Sequence, residues 1–129
     1  MRDDNRKSSW PKLASAALSL ESHVESSRIA VTMRGNADME SLRSLEAFLG
    51  ELHDEAVGLR CRQVTIDMRE LYFMNSASIK LVVAWIANVQ ALSPTARYSI
   101  HLASNPNLSW QRWTLNALKS VAADLITVD

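Results

Sequence analysis

A serine at the start of a helix is the place in this chain where residue type and position together point to chemistry. Residues 64–79, Val-Thr-Ile-Asp-Met-Arg-Glu-Leu-Tyr-Phe-Met-Asn-Ser-Ala-Ser-Ile, run from an apolar strand through a short loop into a helix that opens at Ser76. The exposed N–H groups and positive dipole end of a helix stabilise an added phosphate, so the Ser76 hydroxyl is a candidate regulatory acceptor. Asn75 supplies an N-cap oxygen without placing a negative charge beside a phosphate. Lys80 stands one turn on, where its ammonium could offset part of that charge, although a solvated lysine is the ordinary reading. Ser78 is the secondary candidate, inside the first turn with its hydroxyl expected to face solvent.

Other constellations do not assemble. Asp67 and Glu70 are a possible carboxylate pair, but they fall at a strand end and in a loop with no histidine or nucleophile beside them. His23, His53 and His101 lie in three separate elements, far in sequence from the single Cys61, so no metal site is expected. The only glycines, Gly35, Gly50 and Gly58, do not fit the spacing of a phosphate-cradling loop, so no cofactor or intrinsic nucleotide use is expected. The chain is therefore expected not to be an enzyme. A hydrolase or nucleotide-handling role is the alternative that finds no residues to carry it.

Composition bounds the rest. The length of 129 residues, 47% hydrophobic and 22% charged, fits one compact soluble domain with a core of its own. Fourteen basic residues balance fourteen acidic ones, so no global field draws the chain to nucleic acid or an acidic membrane. One cysteine excludes an internal disulfide and points to a reducing compartment, with cytoplasm the expected location. The apolar runs at 13–20 and 79–89 are too short and too interrupted for a signal core or a membrane span, so no insertion into a membrane is expected.

The elements that must position Ser76 follow from periodicity. Residues 1–17 read as an N-terminal tail, with Trp10 either packed on the domain or kept as a partner anchor. Leu18, Leu20 and Val24, then Ile29, Val31 and Met33, alternate on either side of the turn-forming Glu25-Ser26-Ser27, which predicts an antiparallel hairpin. Asp38 caps a helix whose inward face is Leu42, Leu45, Leu49, Leu52 and Ala56, ending near Gly58. A strand over 63–68 and a helix over 76–92 follow, the latter facing inward with Ile79, Val82, Val83, Ile86 and Val89 or Gln90. A strand at 98–102 and a third helix capped by Asn107 or Ser109 come next. That helix carries the stripe Leu115, Leu118, Val121 and Ala122, and a last strand holds Leu125, Ile126 and Val128. Strands separated by such helices favour right-handed crossovers and a mostly parallel sheet. Trp110 and Trp113, three apart with Arg112 between them, could share one helical face as a second binding patch or cover the sheet end.

Over 18–129 the element order, with Gly35-Asn36-Ala37-Asp38 between second strand and first helix and Asn75-Ser76-Ala77-Ser78 after the third strand, resembles a STAS domain of the anti-sigma factor antagonist type. The resemblance implies a single α/β domain with a mixed, mostly parallel four- to five-stranded sheet and about three helices. It implies a non-enzymatic bacterial regulator working by partner switching. Its partners would be an anti-sigma factor-type serine kinase and a serine phosphatase, with Ser76 as the modified residue. The contact would be bordered by Asp38, Met74, Asn75, Ser76, Ala77, Ser78 and Lys80. Asn75 and Ala77 depart from the Asp-Ser-Ser-Gly pattern of the phosphorylated members, as do Ser78 and Lys80. A second role that the resemblance allows is therefore a constitutive STAS subunit beside a lipid-transport ATPase, without phosphorylation.

Overall fold

The computed structural model describes residues 13, 14 and 17–129. Among them six strands form one sheet in the order β1-β2-β3-β4-β5-β6. They are β1 (Leu13–Ala14), β2 (Leu18–Glu25), β3 (Arg28–Ala37), β4 (Gln63–Met74), β5 (Ser99–Ala103) and β6 (Ile126–Val128). Three helices connect them: α1 (Leu42–Gly58), entered through a 3-10 turn at Met39–Ser41, α2 (Ser76–Gln90) and α3 (Ser109–Val121). The β2–β3 hairpin is antiparallel with Leu20 opposite Met33 and Val24 opposite Ile29, as the alternation predicts. From β3 onward every neighbouring pair is parallel, the outcome of helical crossovers.

Part of the expected tail belongs to the sheet, because Leu13–Ala14 pairs antiparallel with β2. Trp10 and the remainder of residues 1–12, with residues 15 and 16, lie outside the described residues. Period-two alternation sends Leu18, Leu20, Ile29, Val31, Met33, Val64, Ile66, Met68, Ile100 and Leu102 into one core under the helices. The opposite face carries Glu21, Arg28, Thr32, Thr65 and His101, all partly or fully exposed. Phe48 joins the expected inward residues of α1, whereas Leu42 is only half-buried.

On α2 the inward face is Ser78, Val82, Trp85, Ile86 and Val89, and Val83 is exposed. The cause is Trp85, whose indole N–H donates to the Tyr98 hydroxyl at 2.9 Å and turns the helix toward β5. The Tyr98 hydroxyl in turn lies 2.7 Å from Nδ1 of His53 on α1. With the indole as donor, the buried phenol donates to His53, and this chain joins both helices to the sheet. Burial pushes the Tyr98 phenol well above its ordinary range. On α3, Leu115, Leu118 and Ala122 are buried but Val121 is exposed, and Leu108 occupies the N-cap position with no side-chain cap bond, so neither Asn107 nor Ser109 caps the helix.

The largest departure from the periodicity is β4. It does not stop at Met68 but continues to Met74, so the expected loop is strand. The pairing with β3 explains why: Thr32 faces Asp67 while Arg34 faces Glu70, and Gly35 faces Leu71 while Asn36 faces Phe73. Each step inserts one extra residue on β4, and two bulges convert the inward spacing from Ile66, Met68 to Met68, Leu71, Met74. At the first bulge the Asp67 carboxylate accepts the Arg69 N–H at 3.0 Å and a bidentate guanidinium contact. The Arg69 hydrogen bonds hold the Asp67 carboxyl below its usual range.

The overrun leaves β4 without β5 beside it, since their pairing ends at Asp67 and Ala103. Its free carbonyls are taken by α3 and the loop before it. Gln111, 1% exposed, donates through Nε2 to Met68 at 2.7 Å and Leu71 at 3.1 Å, while its Oε1 accepts the Asn105 N–H at 2.8 Å. Asn105 Nδ2 donates to the Arg69 carbonyl at 3.0 Å. Gly35 is fixed as firmly on the other side: its φ is +98°, and a Cβ there would stand 2.1 Å from the Ala17 carbonyl oxygen.

Two losses of stability follow. Gln111→Met, similar in size but without donors, should lower unfolding free energy by about 2–3 kcal/mol by stranding buried carbonyls, read by urea denaturation. Gly35→Ala should cost about 2–3 kcal/mol through strain at a left-handed φ and collision with the Ala17 carbonyl. Either variant unfolding like the parent chain would contradict the assignment of that residue.

Candidate functional site

The end of β4 and the end of β3 meet at a single acceptor. The Ala37 carbonyl receives the Asn75 N–H at 3.0 Å and the Ser78 hydroxyl at 3.3 Å. Asn75, in extended conformation, caps α2 by accepting the Ser78 N–H on its side-chain oxygen at 2.8 Å. The three contacts lock the first turn of α2 against the end of β3 and leave little freedom to Ser76 between them. Ser76 is the first helical residue and is exposed, with no acidic residue in that first turn. Its hydroxyl thus sits at the positive end of a 15-residue helix, open to solvent.

Asp38 is brought to the same junction, immediately after Ala37. Its carboxylate makes no cap bond to a backbone N–H; it accepts instead from the buried Ser41 hydroxyl at 3.0 Å, which fixes the 3-10 turn. Ala77 is half-buried and Lys80 is exposed one turn beyond Ser76. Ser76, Lys80 and Val83, at i, i+4 and i+7, make an exposed stripe along α2.

Two expectations change here. Ser78 does not face solvent: it is fully buried, and its hydroxyl is committed to Ala37. A kinase could reach it only by opening the junction. Met74 does not line a surface either, because the second bulge turns it inward to 6% exposure. The side chains left outside by the bulges are Tyr72, 55% exposed, and Phe73, 47% exposed, together with Met39 at 67% on the 3-10 turn. These are large apolar groups left exposed on the segments that lead into and out of the junction. The signal available in sequence was the doublet Tyr72-Phe73, which no single alternating strand can bury on both faces.

The two tryptophans of α3 part company. Trp110 packs against the core and buries its indole N–H, which has no hydrogen-bond partner among the described residues, whereas Trp113 is 76% exposed. They do not form one patch. Asp67 and Glu70 are engaged with Arg69 and Arg34 rather than with each other. Among the described residues no three His, Cys, Asp or Glu side chains are grouped to hold a metal ion, and no helix is long and apolar enough to cross a membrane. Burial raises the thiol of Cys61 above its ordinary value.

No family model and no curated protein sequence matches the chain. Solved structures do. An anti-sigma factor antagonist from Mycobacterium paratuberculosis superposes with a TM-score of 0.64 at 16% identity, over 90% of this chain and 88% of that one. The Bacillus cell fate determinant SpoIIAA in its phosphorylated form gives 0.58 at 18% identity, over 88% and 91% of the two chains. The unphosphorylated anti-sigma factor antagonist SpoIIAA gives 0.57 at 16% identity, over 88% of each. The fold is therefore the STAS fold of these neighbours, as the resemblance implies, although Gly35-Asn36-Ala37 is not a turn but the last part of β3, paired with β4.

Removal of the cap tests the junction. Asn75→Ala should reduce stability by about 1 kcal/mol, and Asn75→Asp, which keeps an acceptor at the positive helix end, should stay within about 0.5 kcal/mol of the parent. Equal losses in the two variants would show that the Asn75 side chain does not cap α2.

Proposed function

We propose that this chain is a non-enzymatic regulatory binding protein of the anti-sigma factor antagonist type, switched by phosphorylation of Ser76. The observation that carries the proposal is the exposed Ser76 hydroxyl on a capped helix start, with Val83 exposed further along the same helix face and Met39 and Phe73 exposed on the segments that reach the junction. The fold shared with an anti-sigma factor antagonist and with SpoIIAA supports it. The unmodified surface buries these apolar groups against an anti-sigma factor-type serine kinase. Transfer of phosphate to Ser76 adds about −1.5 to −2 charge within that contact, where desolvation penalises it, and the partner leaves. A serine phosphatase resets the surface. Lys80, on the following turn, lies where it can pair with the phosphate and hold it at the helix end. The reading places the protein in the cytoplasm of a bacterial cell.

Asn75 and Ala77, where the phosphorylated pattern has Asp and Ser, favour one competing role, a constitutive subunit of a larger complex such as a lipid-transport ATPase. Paired substitutions separate the two. Partners captured from the source cells by the wild-type chain should be retained by Ser76→Ala and lost at least about tenfold by Ser76→Asp, a change of about 1.4 kcal/mol. Equal capture by Ser76→Asp would reject the switch and leave the constitutive role.

A further inference from the structure

The end of the sheet opposite Ser76 carries a feature that partner switching does not use. The segments entering β3, β4, β5 and β6 border a depression of about 700 Å³, lined by Arg60, Arg62 and Arg97 with hydroxyls of Ser27 and Thr95. A second depression of about 470 Å³ shares Arg60, Cys61 and Thr95 with it and adds the apolar walls of Val57 and Ala96. Asp124 is the one acidic residue in the lining of the first. The chain as a whole is neutral, so this is a local concentration of charge and not a share of general basicity.

Arg60 and Arg62 are exposed and Arg97 is half-buried, and two details distinguish the cluster. Arg60, Arg62 and Arg97 form no ion pair among the described residues, whereas Arg34 and Arg69 are both paired with carboxylates. Arg97 is immobilised: its Nε donates to Leu92 at 3.1 Å and its Nη2 to Gln90 at 2.9 Å, at the carbonyl end of α2. Arg60 also stands at a position that would be relieved by glycine. Helix α1 ends with the Cys61 N–H bonded to Ala56 and the Arg60 N–H to Val57, the closing pattern in which glycine is the usual left-handed residue. Here that residue is Arg60 with φ +53°. Strain tolerated at a side chain that lines a cleft points from backbone to function.

We propose that this cleft binds a small phosphate-bearing anion, with Arg60, Arg62 and Arg97 as its charge partners. The guanidinium groups of Arg60 and Arg62 can match phosphate oxygens bidentately, while Arg97, with Nε and Nη2 held by carbonyls, contributes its charge and its Nη1 donor. The volume and adjoining apolar wall fit the organic body of a metabolite better than an extended polyanion, for which the neutral chain has no continuous basic surface. The site lies at the start of β4 and Ser76 at its end, so occupancy does not compete for the partner surface.

Pyrophosphate is the probe, titrated into the full chain at low salt by calorimetry and followed through amide shifts. One site with Kd of about 0.1–1 mM, weakening as salt rises, is expected, with the shifts centred on residues 60–62 and 95–99. Arg62→Ala and Arg60→Gly should each weaken binding about tenfold. Arg60→Gly should at the same time raise Tm by about 2–3 °C, because it relieves the left-handed residue; a fold damaged by substitution would lower both. Ser76→Asp should bind pyrophosphate as the parent does, whatever its effect on partners. The assignment is overturned by no saturable binding at about tenfold above that range, or by affinity unchanged in Arg60→Gly and Arg62→Ala. A phosphoserine peptide that occupies the cleft while pyrophosphate does not would overturn it in favour of a protein ligand.

Discussion

The carbonyls of β4 beyond Asp67 are the constraint on which the rest depends. A parallel strand that outruns its neighbour exposes acceptors that cannot be left dry inside a protein. Here Gln111 and Asn105 stand in for the missing strand, and they come from α3 and the loop that leads into it. Because those bonds hold, β4 can carry its extra residues in two bulges and still arrive at Ala37 in register. The Ala37 carbonyl then clamps Asn75 and Ser78, and the helix that begins there inherits its position from the far side of the sheet. Ser76 is accurate in placement because three elements converge on it, although it makes no such contact itself.

A rigid backbone with an exposed hydroxyl suits the proposed switch. In that proposal the junction does not have to order on binding, so little conformational entropy opposes association, and a phosphate on Ser76 acts through charge on a surface already in place. The bulges serve the same end by turning Phe73 outward while keeping Leu71 and Met74 in the core. The opposite end of the sheet has a different chemistry, with arginines in place of apolar groups, and β4 joins the two.

Much of this was legible in the residues, and the parts that were not share a physical cause. Alternation in β2 and β3, the helical stripe of α1 and the polar box after β4 are local signals, and the hairpin, the crossovers and the STAS fold followed from them. Spacings of three in β4 resemble neither a strand nor a loop until a partner shows them to be bulges, so its second half read as loop. Gln111 precedes the apolar stripe of α3 by one turn and carries no local signal, and only the tertiary position of β4 turns its amide into a requirement. Val83 and Val121 were assigned inward by hydrophobicity, but Trp85 and Tyr98 fix the rotation of α2, and hydrophobicity alone cannot choose between adjacent faces. Ser78 was read as open because hydroxyls in a first turn usually are; its acceptor, Ala37, is 41 residues away.

The central claim is that Ser76 is the residue the cell modifies. Trypsin cleavage after Arg69 and Lys80 releases residues 70–80, which contain only Ser76 and Ser78 as hydroxyl acceptors besides Tyr72. Fragment-ion mass analysis of that peptide, from the protein isolated with its partners out of its own cells under phosphatase inhibition, reads the site directly. Phosphate on Ser76 alone, with unmodified Ser78 and a serine kinase in the same isolate, is the predicted result. A peptide without phosphate on Ser76 in every growth condition, isolated with transporter subunits in place of a kinase, would contradict it.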